Sequence, residues 1–286
     1  MRALVLMVLG MSLHCDGFHA VKSSAQAPAA KVHAGPVAAV AVMPTQAAQA
    51  VLLNSGLAAA GAAKKQKVLT PSGLAHAWAL GVILWSSLGW RGWSTCVLYL
   101  ICGSTVTKVK KAKKEALGIA EGRGGMRGPE NVWGSAATAA ICALASSRWP
   151  AKAATFRIGF VAALVSKLSD TCQSEIGKAY GKTTYLITTL RRVPAGTEGA
   201  VSAEGTAAGV AGSIVLAAFT VCIGLIPISA LLPCLVAAVV ATTVESLIGA
   251  VAQDRFKLLT NEVVNFIMTV IGAFTGVALA TFAGIA

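Results

Sequence analysis

Several uncharged apolar runs in this chain, 207–228 among them, approach the roughly 20 residues that an α-helix needs to cross a bilayer. In lipid every backbone N–H and C=O must be satisfied internally, which leaves helices and closed barrels as spanning structures. The short alternating segments of a membrane barrel are not seen in the sequence. The expectation is an all-α fold, a polytopic transmembrane helical bundle of about seven or eight spans. Composition agrees: 56% of residues are hydrophobic and 12% charged, far from an ordinary soluble domain.

The spans read as 46–63, 73–90, 93–107, 131–149, 154–169, 207–228, 230–251 and 264–285. The first is the weakest, Ala-rich and interrupted by Asn54; without it the count is seven. Arg91-Gly92 marks a tight break between the second and third, and Pro227 and Pro233 mark the one between the sixth and seventh. Alternating sides puts Lys64, Lys65, Lys67, five lysines from Lys108 to Lys114, Arg123, Arg127, Lys178, Lys182, Arg191, Arg192, Arg255 and Lys257 on one face. The other face receives Arg91, Arg148 and Lys152, with Arg157 near the start of a span. Such asymmetry is what topogenic charge produces, and a miscounted span would scramble it. The net charge of +13 therefore reads as topology. It is not a nucleic-acid signal, because aromatics are sparse and do not interleave with the basic residues.

Residues 1–45 read as a targeting leader, cleaved somewhere between 20 and 50. Asp16 is the one acid before Lys114, as suits a transit peptide, while Arg2 and the apolar run Ala3–Leu13 also fit a secretory signal. The integral-membrane domain is then 46–286. Its seven cysteines have no CxxC spacing and read as small buried hydrophobes. Gly272 with Gly276, Gly134 with Thr138, and Ser135 with Ala139 make small-residue faces for helix packing.

One polar interlude, 167–206, breaks the apolar pattern and holds four of the eleven acids: Asp170, Glu175, Glu198 and Glu204. A membrane protein concentrates its ionisable groups where it does chemistry. Asp170 and Ser174 share a helix face, with Glu175 about 100° further round. Two carboxylates and a hydroxyl suit Mg²⁺, which leaves its other positions to water and phosphate; a solvated helix end is the bland alternative. Downstream, Arg191 and Arg192 precede the segment Gly196-Thr197-Glu198-Gly199-Ala200-Val201-Ser202-Ala203-Glu204-Gly205-Thr206. Such a segment suits phosphate, through glycine amides, hydroxyls, arginine forks and a helix starting near Ser202; it equally suits a flexible loop. Gly177 to Thr183 is not a P-loop, being one residue short between its glycines. Lys178 and Lys182 lie in that stretch. Glu130 and Asn131, Glu245, and Asn261, Glu262 and Asn265 fall on the same face. All four histidines precede residue 77, which leaves carboxylates as the proton acceptors.

The runs Asp170–Lys178 and Arg192–Ser202, with Lys111–Glu121, Gly128–Ser135 and Thr260–Phe266, resemble the plant phytyl-phosphate kinase family. The resemblance extends from about residue 46 to the C-terminus, and more weakly to a broad group of prokaryotic and eukaryotic membrane proteins. It implies a multi-pass plastid membrane enzyme with its basic loops in the stroma. It would use a nucleoside triphosphate, CTP favoured, to convert phytyl phosphate to phytyl diphosphate for tocopherol and phylloquinone synthesis. On that reading Asp170 and Glu175 hold Mg²⁺, and Glu198 or Glu204 assists the metal or nucleotide. Lys182, Arg191 and Arg192 clamp phosphates. Another prenyl-lipid kinase, a cytidylyltransferase and a membrane transporter are the competing readings.

Overall fold

A computed structural model describes residues 45–253, 256 and 258–285. The expected leader, apart from Thr45, and the basic residues Arg255 and Lys257 lie outside the described residues. Within them the chain is all-α apart from a two-residue strand pair, β1 (Tyr185–Leu186) with antiparallel β2 (Ala200–Val201). Eight α-helices run in the order α1 (Gln46–Ala63), α2 (Pro71–Thr107), α3 (Lys111–Ala116), α4 (Pro129–Arg148), α5 (Ala153–Tyr180), α6 (Ala203–Cys222), α7 (Leu231–Ile248) and α8 (Asn261–Phe282).

Local signals set the helix starts. The hydroxyls of Thr70, Ser202 and Thr260 accept from backbone N–H groups one turn on, Gly73 at 2.9 Å, Gly205 at 3.1 Å and Val263 at 3.4 Å, as N-caps do. Pro71 and Pro129 occupy first-turn positions, where a missing N–H is harmless. The break expected at Arg91-Gly92 falls instead at Gly89 (φ +65°, ψ −160°), a conformation that costs a side chain but not glycine. There α2 folds back on itself: Val68, just before it, and Ser104, near its end, line one recess. Across the bend Trp85 and Trp93 meet edge-to-face at 5.6 Å.

The hub is α5. Every residue from Ile158 to Ser169 is buried, and the helix packs against α2, α4, α6, α7 and α8. Small residues allow this crowding. A side chain on Gly272 would strike Ser166, and one on Gly276 would come within 2.6 Å of the Ala162 Cβ. The face expected on the last helix therefore meets a second small face on α5. Likewise Gly134 approaches the Glu262 backbone, and the Thr138 and Thr269 hydroxyls share a hydrogen bond of 2.8 Å. Gly205, Gly209 and Gly212 seat α6 against Gln173, Ser169 and Cys172.

Every expected segment falls on a helix, but α5 runs on to Tyr180 past the expected end at 169, α6 covers Ala203–Cys222 against 207–228, and α3 has no counterpart among the expected spans. The helix over 46–63 packs on α2, where the Trp93 indole donates to the Asn54 Oδ1 at 3.1 Å. Three stretches, Ala203–Cys222, Ile228–Gln253 and Asn261–Phe282, are long and apolar enough to cross a membrane by length and composition. In the C-terminal half of α5, Lys167 and Glu175 are buried and Asp170 nearly so, whereas Arg157 near its start is exposed.

Candidate functional site

One end of the bundle holds a polar cavity of about 460 Å³. It is walled by the end of α2, the 120–127 segment, the starts of α4 and α8, the C-terminal half of α5, the 184–202 segment and the end of α7. Stretches far apart in sequence thus meet at one place. The opposite ends also meet: Arg91 lies 3.9 Å from the Cβ position of Gly224, between α6 and α7.

The floor comes from α5. Asp170, Thr171, Gln173, Ser174, Gly177 and Lys178 line the cavity, together with Lys167 one turn below. The Lys167 ammonium donates to Asp170 and, at 2.9 Å, to the Asn265 Oδ1 of α8. A buried charge needs such partners. A lysine one turn before an aspartate inside an apolar helix is the signal that would have found it.

One wall is the 120–131 turn. Arg123 donates to Glu130 and, at 2.7 Å, to the Asn131 Oδ1. The Gly128 N–H also donates to that oxygen at 2.9 Å, and the Asn131 Nδ2 donates to the Glu262 Oε1 at 3.1 Å. Backbone amide and the Arg123 guanidinium hold the Glu130 carboxyl below the usual range. Arg127 faces the cavity beside Tyr99, whose hydroxyl accepts from its Nη1 at 2.8 Å. Tyr99 foremost, with Glu121 and Glu175 further out, pushes the Arg127 pKa up despite burial, so this guanidinium stays cationic.

The roof is the 184–202 segment, and it is folded. The Val193 N–H donates to the Thr184 carbonyl at 3.1 Å, and Ile187 N–H to the Gly199 carbonyl at 3.1 Å. Gly199 has φ +73°, and its Cβ position lies 2.5 Å from both the Ser246 carbonyl and the Ala250 Cβ. Only a glycine passes there. The segment is thereby pinned to the end of α7, with Gly196, Thr197, Glu198, Gly199, Ala200 and Ser202 lining the cavity.

Of the residues expected from sequence, Asp170, Ser174, Lys178, Gly196, Thr197, Glu198, Gly199, Ser202, Asn131, Glu245, Asn261 and Glu262 line this one cavity. Others lie elsewhere. Glu175 is turned away, 1% exposed, in an ion pair with the equally buried Lys114 of α3. Glu204 accepts from the Lys182 backbone N–H at 3.4 Å. Glu130 is exposed against Arg123; Lys182, Arg191 and Arg192 are exposed off the cavity wall. His76 is also elsewhere, accepting from the Trp133 indole at 2.9 Å. Asn265, placed on the same face by sequence, also lines it, while Arg127, Lys167 and Gln173 are cavity residues to which the sequence assigned no site role.

Among the described residues no three His, Cys, Asp or Glu side chains cluster as a metal cage. Five carboxylates, Glu121, Asp170, Glu198, Glu245 and Glu262, are instead spaced around the cavity among amides, hydroxyls and four cations, Arg123, Arg127, Lys167 and Lys178. All-oxygen donors of this kind fit Mg²⁺, which takes one or two carboxylates and fills its shell with water and phosphate. The cavity can therefore surround polyanions, with cations against their charge and acids left for a metal.

A family model described as integral membrane protein DUF92 matches residues 54–273. An uncharacterized membrane protein of Synechocystis sp. is 52% identical over 231 residues, 80% of this chain and 90% of that protein. Protein VTE6, chloroplastic, of Arabidopsis thaliana is 45% identical over 219 residues, 75% of this chain and 66% of that protein. An uncharacterized membrane protein of Methanocaldococcus jannaschii is 29% identical over 219 residues, 76% of this chain and 87% of that protein. No solved structure matches the chain.

Proposed function

Because the chain belongs to the DUF92 family of integral membrane proteins, we propose that it works on a membrane-borne phosphate, as a phytyl-phosphate kinase. The reading rests first on the motif resemblance over Asp170–Lys178, Arg192–Ser202 and Gly128–Ser135, and on 45% identity to a plant protein whose name places it in the chloroplast. The observation that carries it is the single cavity joining Arg123, Arg127, Lys167 and Lys178 to five carboxylates at one end of the bundle.

In the reaction an oxygen of phytyl phosphate forms a bond to the γ-phosphorus of a nucleoside triphosphate, CTP favoured. The bond from that phosphorus to the β–γ bridging oxygen breaks, and a nucleoside diphosphate leaves. Such transfer demands positioning and charge neutralisation above all. The acceptor oxygen is already ionised, so a strong general base is unnecessary, and among the described residues no histidine lines the cavity. Arg127 and Lys178 hold the phosphates, Arg127 with a planar fork that suits paired oxygens. Asn131 and Asn261 supply amides, Ser174 and Thr197 supply hydroxyls, and the pinned 196–199 turn offers backbone N–H groups. Asp170, with Glu245 or Glu262, would hold Mg²⁺, which supplies further positive charge beside the phosphates. Lys167 holds Asp170 in place through their ion pair. The site belongs to a plastid membrane, with its basic loops toward the stroma.

Purified full-length protein is incubated with phytyl phosphate, Mg²⁺ and each nucleoside triphosphate in turn. Phytyl diphosphate and nucleoside diphosphate are expected, and Asp170→Asn lowers kcat about 100-fold or more, the scale for losing a positioned charged group. Release of pyrophosphate would assign nucleotidyl transfer instead. Undiminished turnover in Asp170→Asn would remove this cavity as the site.

A further inference from the structure

A second cavity of about 430 Å³ lies between α1, both arms of α2 and the start of α4. Leu57, Leu74, Leu84, Trp93, Val97 and Ala136 give it an apolar wall. Two of its polar side chains, Asn54 and Gln66, are committed to the protein itself. Asn54 donates to the Ala50 carbonyl at 2.8 Å and accepts from Trp93. Gln66 donates to the Leu69 carbonyl at 2.9 Å and accepts from the Val68 and Leu69 N–H groups. The chamber therefore offers a hydrocarbon surface. Its volume falls in the range of about 300–1,000 Å³ typical of small-ligand sites.

The chamber adjoins the polar site. Arg127, Asn131 and Ser135 line both cavities. A ligand reaching across that junction must be apolar at one end and anionic at the other. We infer that the chamber takes the branched hydrocarbon tail of an isoprenoid phosphate, with Arg127 at the junction holding its phosphate end. This rests on the proposed kinase reading for the identity of the acceptor and adds where the tail lies and what limits its length. Lipid is as apolar as the chamber wall, so the length of tail that fits between the walls, and not escape from water, distinguishes acceptors. The chamber wall therefore selects for chain length while the polar cavity sees only phosphate.

Gly61 gives a way to shorten the chamber. It lines the cavity, and an added Cβ there meets only Gln66 at 3.4 Å and Leu74 at 3.9 Å, ordinary contacts. Gly61→Phe places a ring at the chamber wall beside Gln66 and Leu74. Ala77→Phe places one there from α2.

The full-length protein in nanodiscs is photolabelled with an isoprenoid monophosphate carrying a diazirine at its tail end, and labelled peptides are mapped. Label on α1 and α2, displaced by phytyl phosphate, is expected; label on the outer faces of α6 to α8, or none, overturns the inference. In parallel, both variants should lose about tenfold or more in kcat/KM for phytyl phosphate while changing less than twofold with geranyl phosphate, half its tail length. Equal losses for both acceptors in both variants, or no loss in either, also overturn it. Retained geranyl phosphate turnover is the check on folding. Labelling of the chamber without phosphoryl transfer would leave the tail site standing and sink the kinase; transfer with the label elsewhere does the reverse.

Discussion

Asp170 and Glu175 stand on the same helix, and five residues of rotation put them about 140° apart. Asp170 enters the cavity, while Glu175 meets Lys114 from the short helix α3. Removing one member of a buried pair strands the other, at a cost of about 3–5 kcal/mol. Glu175→Gln should therefore lower the melting temperature of the purified protein sharply. The double change Glu175→Leu with Lys114→Met should recover much of it, and scanning fluorimetry in detergent reads both. A Glu175→Gln protein as stable as the parent would contradict the pairing. Arg127 tests the site differently. Arg127→Lys keeps the charge but loses the fork and the Tyr99 bond, and a hydrogen bond to a charged group is worth about 1.5–3 kcal/mol. The expected result is a fall in kcat/KM for phytyl phosphate of about tenfold to 100-fold. Unchanged kinetics would take Arg127 out of the phosphate site.

At the level of elements, the bundle depends on helices that approach without side chains between them. Gly276 of α8 faces Ala162 of the buried α5, with 2.6 Å available for a Cβ. Gly276→Leu must push α8 off the hub, and overpacking of this kind costs about 1–3 kcal/mol. Its melting temperature should fall, whereas Phe274→Leu on the exposed face of α8 should change little. The 184–202 segment carries a more local consequence. Gly199→Ala combines a left-handed backbone with a clash against Ser246 and Ala250. It should lift the cavity roof, so that nucleotide KM rises severalfold with only a small loss of global stability, measured as steady-state kinetics beside a thermal scan. An unaltered KM would mean that the segment contributes nothing to the nucleotide site.

For the molecule as a whole, the helix ends sort into two groups. One builds the polar cavity; the other brings Arg91 beside Gly224. Single cysteines placed at Lys65, Lys110 and Lys182, in a background with the native cysteines replaced, should react with an impermeant maleimide from one side of a sealed vesicle. Cysteines at Arg91 and Lys152 should react from the other. A cysteine at Lys182 that labels with the Arg91 group would separate the loops that the cavity requires to be together. The charge bias of the sequence gives the same sorting, since lysines and arginines remain where translocation is costly.

Hydropathy, glycine spacing and charge sufficed to locate the long helices (though not α3 or the C-terminal third of α5), the packing faces Gly272–Gly276 and Gly134–Thr138, and the shared end to which Asp170, Glu198, Glu245 and Glu262 belong. These are properties of periods and compositions, carried by a few consecutive turns. Three things were decided by tertiary contact alone. The bend moved to Gly89 because the arms of α2 pack through Trp85 and Trp93. Glu175 left the site and Lys167 entered it, because their partners, Lys114 and Asn265, come from helices 61 and 98 residues away. The apolar chamber meets the polar cavity only because α1, α2 and α4 converge on Arg127. A side chain's direction follows from its own helix, but what it faces is set by whichever distant helix packs there.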